Sequence, residues 1–333
     1  MKIVSFIIPA YNAEKCLENA VDSLAQVASK HDIEVLIVEN GSTDQTKDIA
    51  LKLANQYDFV QLYNSEKGVS AARNLGILKA QGQWISFVDA DDLVCCEDMI
   101  TAISHLSEVD DFVIACYKKG DTIIDTSHEI DSLSKASLDE KRAYLIGNPT
   151  KFLAVWAKFI RSDIIKNNDL IFDRKLSVAE DSDFLIAVTK YCKDITFVPY
   201  VVYNYSISSP STVRSFDNTK VKKYISSMEA TAVKIKGEPD IIKKAFDGYV
   251  LMHLNISMVH ETFSPDNKES FFAKVRTFKR VCKVDIYQNA INNTKFKQCK
   301  SARMLPILFV KLHLEGLSGL IYMLRARWNA KRK

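Results

Sequence analysis

The chain has 333 residues, 47% of them hydrophobic and 26% charged, which excludes a disordered chain and allows one large domain or two ordinary ones. The formal net charge of +4 is unevenly spread: residues 295–333 hold ten Lys/Arg and one acidic residue, Glu315, whereas the other 294 hold 35 basic and 40 acidic side chains. A mildly acidic body with a basic tail points to an anionic surface as the tail's partner, and the seven cysteines, odd in number and without a C-x-x-C, fit a reduced cytosolic chain with neither a disulfide framework nor a zinc site.

The opening run Ile3–Pro9 is too short for the apolar core of a signal peptide and reads as a first strand. Asn12 can cap a helix from about Ala13 to Ala28, with Leu17, Val21, Leu24 and Val27 on one face. Glu34–Val38 is the next strand, and Ser42-Thr43-Asp44-Gln45 offers a capping box for a helix to about Gln56. Phe59–Tyr63, a helix over Val69–Gln81 and the strand Trp84–Val88 complete the series. Strands alternating with helices predict an α/β fold with a doubly wound, mainly parallel sheet. Ligands bind such sheets outside the carboxyl ends of the strands. Those ends are Ala10-Tyr11-Asn12, Glu39 to Ser42, Asn64 to Gly68 and Asp89 to Asp92.

The last of these is the most pointed. A strand that should be buried delivers Asp89, Asp91 and Asp92 within four positions, and clustered carboxylates repel one another and resist burial. A divalent cation resolves the conflict, since Mg²⁺ or Mn²⁺ is held well by one or two carboxylates together with substrate phosphates. An ordinary Asp-rich turn is the plain alternative. No G-x-x-x-x-G-K-[ST] and no G-x-G-x-x-G is present, so neither a P-loop nor a dinucleotide-binding Rossmann site is indicated.

Taken together, Ile8-Pro9-Ala10-Tyr11-Asn12, Val38-Glu39-Asn40-Gly41-Ser42-Thr43-Asp44, Gly68 to Gly76 and Asp89-Ala90-Asp91-Asp92 resemble the family 2 glycosyltransferases in order and spacing. Val155-Trp156-Ala157-Lys158, Phe172-Asp173, Glu180-Asp181-Ser182-Asp183-Phe184 and Tyr203-Asn204-Tyr205 are similar to the bacterial branch that builds capsule, exopolysaccharide or lipooligosaccharide. The resemblance spans about residues 3–215. It implies a GT-A domain over 1–215, followed by a helical region over 216–333, and an inverting, metal-dependent transfer of a sugar from a nucleotide diphosphate to a glycan or lipid-linked acceptor.

On that resemblance Asp91 is the metal ligand of a D-x-D, with Asp89 near the ribose or the Mn²⁺ or Mg²⁺ ion. Asp92 is either an outer support or a cap for a helix starting near Glu97, the cap being preferred. Asp181 matches the general base that takes the acceptor proton; the alternative is that Glu180 and Asp181 simply load the start of a helix over Asp183–Lys190 with negative charge. The nucleotide is expected against Pro9, Ala10, Tyr11, Glu39, Asn40, Lys67, Gly68, Asp89 and Ala90. The family usually has Asp-Asp where Glu39-Asn40 stands. Asn40 still offers a carbonyl acceptor to a uracil, but a neutral one, so UDP is the default donor and guanine or thymine nucleotides stay open. Arg73 either contacts diphosphate or locks the Asp-rich loop, the lock being preferred. Tyr11 either stacks on the base or packs the loop.

From about Thr219 the pattern turns helical, over Val221–Lys236, Asp240–Glu261 and Ser270–Val281. A last apolar stretch runs from Met304 to Trp328 with basic flanks, which describes a helix lying on anionic lipid or, alternatively, a terminal helix packed on the body. No segment offers about twenty uninterrupted apolar residues for a span. The expected placing is cytoplasmic and peripheral to the inner face of the membrane, and no aromatic platform or module supports nucleic acid as a partner. Two rivals remain. A nucleotidyltransferase lacks its glycine-rich triphosphate loop here, and a catalytically silent sugar-nucleotide or glycan-binding subunit has Asp91 and Asp181 against it.

Overall fold

The computed structural model describes residues 2–207 and 216–331. Residue 215, at the expected domain boundary, and Arg332 and Lys333 of the basic tail lie outside them. The chain divides into two compact units. One comprises Met1–Lys141, Thr150–Lys175 and Glu180–Ser209; the other comprises Arg142–Pro149, Leu176–Ala179 and Pro210–Lys333.

The first unit begins as the periodicity predicts. Strands β1 (Val4–Ala10), β2 (Ile33–Glu39), β3 (Val60–Asn64) and β4 (Trp84–Phe87) are parallel in the order β3-β2-β1-β4, linked by helices α1 (Leu17–Ala28), α2 (Thr46–Gln56) and α3 (Val69–Lys79). Every residue of β1 and β2 is buried, the mark of strands covered on both faces. Gly76 lets α3 approach β1, because a Cβ there would run into the Ile7 side chain.

After β4 the sheet becomes mixed. It gains β5 (Leu93–Val94), β6 (Phe112–Lys119), β7 (Thr122–Ile124), β8 (Lys158–Arg161) and β9 (Ile195–Tyr205), in the order β3-β2-β1-β4-β8-β6-β9-β5 with β7 on β6. Strand β8 is antiparallel to both β4 and β6, while β6 and β9 are parallel. Helices α4 (Cys96–Ser104), α5 (Ser127–Ser132), α6 (Leu138–Gly147), α7 (Pro149–Phe152), α8 (Ser162–Asn167) and α9 (Glu180–Thr189) punctuate this half. The wedge of β8 carries Trp156 and Lys158 to the end of β4, where Phe87 and Trp156 form a parallel bridge.

Three expected caps are not formed. Helix α1 starts at Leu17 rather than near Ala13, and Asn12 sits at φ +48 with its Oδ1 accepting the Thr43 N–H at 2.8 Å. The Ser42–Gln45 box is likewise absent; α2 starts at Thr46, whose N–H donates to Asp44 Oδ1 at 3.0 Å. The reason is a cross-linking of loops. Ser42 Oγ accepts from Asn12 N–H, Thr46 Oγ1 from Ala13 N–H and Asp44 Oδ2 from Glu14 N–H, so these polar side chains join the loops after β1 and β2, and only the other Asp44 oxygen serves the start of α2. Asp92 does not cap α4, which starts at Cys96; it is buried and bonded elsewhere, as described below.

The second unit is helical: α10 (Lys220–Ile235), α11 (Asp240–Ser257) with a π-helical turn over Met258–Thr262, α12 (Phe271–Cys282), α13 (Asp285–Asn293), α14 (Leu305–Lys311) and α15 (Glu315–Lys331). Ser270 caps α12 by accepting the Ala273 N–H at 3.3 Å. The apolar run that began at Met304 is two helices, broken at Leu312–Leu314 where His313 takes φ +60. Tyr249, Leu254, Met258, Phe278, Tyr287 and Tyr322 are buried in this unit's core. Among the described residues, no helix is long and apolar enough to cross a membrane.

Candidate active site

The carboxyl ends of β1 to β4 carry the predicted residues. Pro9 and Ala10 are buried at the end of β1, and Ala10 O accepts the N–H of Asn40, which is itself buried. Glu39 Oε1 accepts the Ser42 N–H and so closes the turn in which Gly41 has φ +88. Tyr11 is 40% exposed, with Lys67 Nζ 4.8 Å from its ring centroid. Gly68, at φ +129, opens α3 in a conformation an L side chain resists. In the first turn of that helix the buried Ser70 Oγ has no hydrogen-bond partner among the described residues.

The Asp89–Asp92 turn, closed by Asp92 N–H to Asp89 O at 3.1 Å, is clamped from β9. Tyr203 OH donates to Asp92 Oδ2 at 2.6 Å and accepts the Asp89 N–H at 3.1 Å, while Asp92 Oδ1 accepts the Ser206 N–H at 2.6 Å. The Tyr203 ring stacks on Trp156 at 5.0 Å, with the planes 5° apart. Burial pushes the Asp92 carboxyl up to about 7, against the hydrogen bonds from Tyr203 and Ser206 and with help from the charges of Asp89 and Asp91. Asp92 is thus a buried anchor. Asp91 and Ala90 lie beside it, and among the described residues the half-buried Asp91 carboxylate has no hydrogen-bond or ion-pair partner. Burial, then the negative charges of Asp91, Asp44 and Asp92, raise the Cys16 thiol, which locates the β1 and β2 loops beside this turn.

Arg73, on α3 and buried, joins two distant parts of the chain. Its Nη1 lies 2.6 Å from Asp181 Oδ1 and 3.7 Å from Glu180 Oε1, and its Nη2 lies 3.1 Å from Asp89 Oδ1. Burial opposes its charge, but Asp181, Asp89 and Glu180 outweigh that and hold the guanidinium protonated. The guanidinium also rests over Phe172, 5.3 Å from the ring. Phe172 is fixed by a reciprocal pair with Asn74: Asn74 Nδ2 donates to Phe172 O at 2.9 Å and Phe172 N–H to Asn74 Oδ1 at 2.8 Å. Burial raises Asp89, with the charges of Asp181 and Asp91 opposing the relief from Arg73; burial and Asp181 likewise raise Glu180.

Behind Asp181, Lys158 is fully buried on β8, its Nζ donating to Trp156 O at 3.1 Å. Burial drives its ammonium down to about 7 against the attraction of Asp181. Ala157, between the two, sits at φ +55, a left-handed conformation costing a non-glycine residue about 1–3 kcal/mol. The structure therefore brings Asp89, Asp181 and Glu180 onto one guanidinium. It pairs Tyr11 with Lys67, and it uses Glu39 and Asn40 to shape the β2 loop. Tyr203 and Lys158 had no assigned role in the sequence; an aromatic and a lysine inside otherwise apolar strand segments were the available signals.

The donor set suits a hard divalent cation. Asp91 is an unpaired carboxylate, Asp89 has one oxygen left by Arg73, and all the atoms on offer are oxygens. Among the described residues no three His, Cys, Asp or Glu side chains gather into a complete cage.

The profile of Glycosyl transferase family 2 matches residues 5–167. An uncharacterized glycosyltransferase of Haemophilus influenzae is 30% identical over 186 residues, 52% of this chain and 70% of that one. EpsH of Bacillus subtilis is 25% identical over 325 residues, covering 93% of this chain and 92% of its own. The poly(ribitol-phosphate) beta-N-acetylglucosaminyltransferase TarS of Staphylococcus aureus is 28% identical over 234 residues, 69% of this chain and 40% of TarS. The crystal structure of TarS 1–349 with UDP-GlcNAc superposes with a TM-score of 0.67 at 22% identity, covering 99% of this chain and 92% of that one. The chain belongs to glycosyl transferase family 2. It is a glycosyltransferase, and its fold is the GT-A glycosyltransferase fold with a helical C-terminal portion.

Proposed function

We propose that this glycosyltransferase moves a sugar from a UDP-sugar to a hydroxyl of a glycan or lipid-linked acceptor in cell-surface polysaccharide synthesis, inverting the anomeric centre. In this reading residues 1–215 form the catalytic domain and 216–333 a helical extension that holds the enzyme at the cytoplasmic face of an anionic membrane. Support for the donor comes from TarS, solved with UDP-GlcNAc. The nucleotide lies against Pro9, Ala10, Tyr11, Glu39, Asn40, Lys67, Gly68 and Ala90, with Tyr11 exposed for stacking and Lys67 beside it.

Asp91 and Asp89 would hold Mn²⁺ or Mg²⁺, which supplies Lewis-acid stabilisation of the leaving diphosphate when bound. Asp181 takes the proton as the acceptor oxygen bonds the anomeric carbon and the carbon–diphosphate bond breaks. Arg73 orients Asp181 beside Asp89 and Glu180. The observation that carries the reading is this guanidinium, which holds the candidate base and a carboxylate of the D-x-D together.

Asp181→Asn is the test. Transfer should fall by about 10²–10⁴-fold while UDP binding by calorimetry is unchanged. Retained transfer would remove Asp181 as base, and loss of UDP binding would move it to the donor pocket.

A further inference from the structure

Helix α15 has two apolar stripes, one buried and one exposed. Ser318, Gly319, Tyr322 and Ala326 are buried. Tyr322 OH donates to Asn255 Oδ1 at 2.6 Å and Ser318 Oγ to Pro306 O at 2.7 Å. Gly319 is packed so closely that a Cβ would stand 2.9 Å from Val275 Cγ2. At about 100° per residue, Leu317, Leu320, Leu324 and Trp328 fall on the opposite face. They are 42%, 42%, 62% and 55% exposed. By the same count Arg325 and Arg327 flank that face on either side. Single exposed leucines are ordinary, but four large apolar groups in line over three turns are not.

The charge says what covers the stripe. Residues 295–333 carry ten Lys/Arg against Glu315 alone. A second copy would bring this positive surface against itself, so self-association along the stripe is opposed. An anionic bilayer surface complements both features: the leucines and Trp328 suit the headgroup boundary, while the exposed Arg327, and Arg325 through the donors it does not give to the Ala302 carbonyl, suit lipid phosphates. Among the described residues no helix is long and apolar enough to cross a membrane.

We infer that the outer face of α15, Leu317, Leu320, Leu324 and Trp328 between Arg325 and Arg327, is the membrane-docking surface of this enzyme. The inference rests on the peripheral placement proposed above and gives it an address. The full chain is floated with phosphatidylcholine vesicles, with and without phosphatidylglycerol, alongside the double variant Leu320→Glu/Leu324→Glu and the control Leu51→Glu, which alters an equally exposed leucine on α2. Wild type and control should float with the anionic vesicles, and the double variant should partition about tenfold less or worse. Wild-type flotation that the double variant retains would keep the peripheral placement and overturn this face. No flotation of wild type would overturn both. A wild-type dimer in light scattering that the double variant dissolves would assign the stripe to a second copy instead. Unaltered thermal unfolding of the double variant rules out misfolding as the cause.

Discussion

Nη1 of Arg73 stands 2.6 Å from Oδ1 of Asp181, a residue 108 positions further along the chain. The contact is made from a guanidinium that is almost wholly buried, and its other terminal nitrogen holds Asp89. Three carboxylates crowd one site, and a single planar cation with fixed donor directions satisfies two of them at once.

A lysine at this position keeps the charge but is a point donor that cannot reach both carboxylates. Arg73→Lys should therefore cost about 1–3 kcal/mol in urea unfolding, since a half-buried carboxylate is left without its partner. Transfer should fall by about a hundredfold, because the candidate base loses its fixed geometry. Unchanged stability and rate would show that the guanidinium grip is dispensable.

Metal removal should act through Asp91. In thermal unfolding, UDP at about a hundred times its dissociation constant should stabilise the wild type by roughly 2.7 kcal/mol with Mn²⁺ present. Most of that gain should vanish on chelation or in Asp91→Ala. A gain that survives Asp91→Ala would take the metal away from this residue.

Tyr203→Phe removes one hydroxyl and keeps the stack on Trp156. The buried Asp92 carboxylate and the Asp89 N–H then each lose a partner, at a cost of about 1–3 kcal/mol. The KM for the donor should rise more than kcat falls, because the turn that carries Asp91 loosens. Equal unfolding curves for variant and wild type would refute the clamp.

The second unit should carry its own pH dependence. His253 is buried with Nδ1 2.9 Å from Tyr249 O, and burial holds its imidazole down at about 4 against an ordinary 6.5. The fold thus favours the neutral ring. The stability this provides is complete above about pH 6.5 and is lost as pH falls toward 4, by at most about 3 kcal/mol. His253→Asn, which can still donate to a carbonyl four residues back, should flatten the melting temperature between pH 7 and pH 4.5.

The parallel half of the sheet was legible because strands buried on both faces are near-continuous apolar runs, and the helices between them keep a 3.6-residue period. The helix starts were misread for a local reason. Asn12 and Ser42 are good capping residues whose side chains bond the neighbouring loop instead, and Asp44 divides its carboxylate between that loop and the Thr46 N–H. The antiparallel wedge was hidden because β8 is short and opens on a fully buried lysine, which no hydrophobic pattern marks. At the site, Asp89, Asp91 and Asp181 could be picked out by order and spacing. Their convergence could not, since Arg73–Asp181 and Tyr203–Asp92 are pairings over more than a hundred residues. Asp92 was assigned to a helix cap because its hydroxyl partner lies 111 positions away.

The clamp from β9 also sets an order of assembly. Strands β1 to β4 all lie within the first 87 residues and can pair while the rest of the chain is still being made. The Asp89–Asp92 turn is therefore synthesised early, as a knot of negative charge with no Tyr203 hydroxyl and no Asp181 facing Arg73. The turn that carries Asp91 therefore gains its clamp only when a residue made more than a hundred positions later folds back on it.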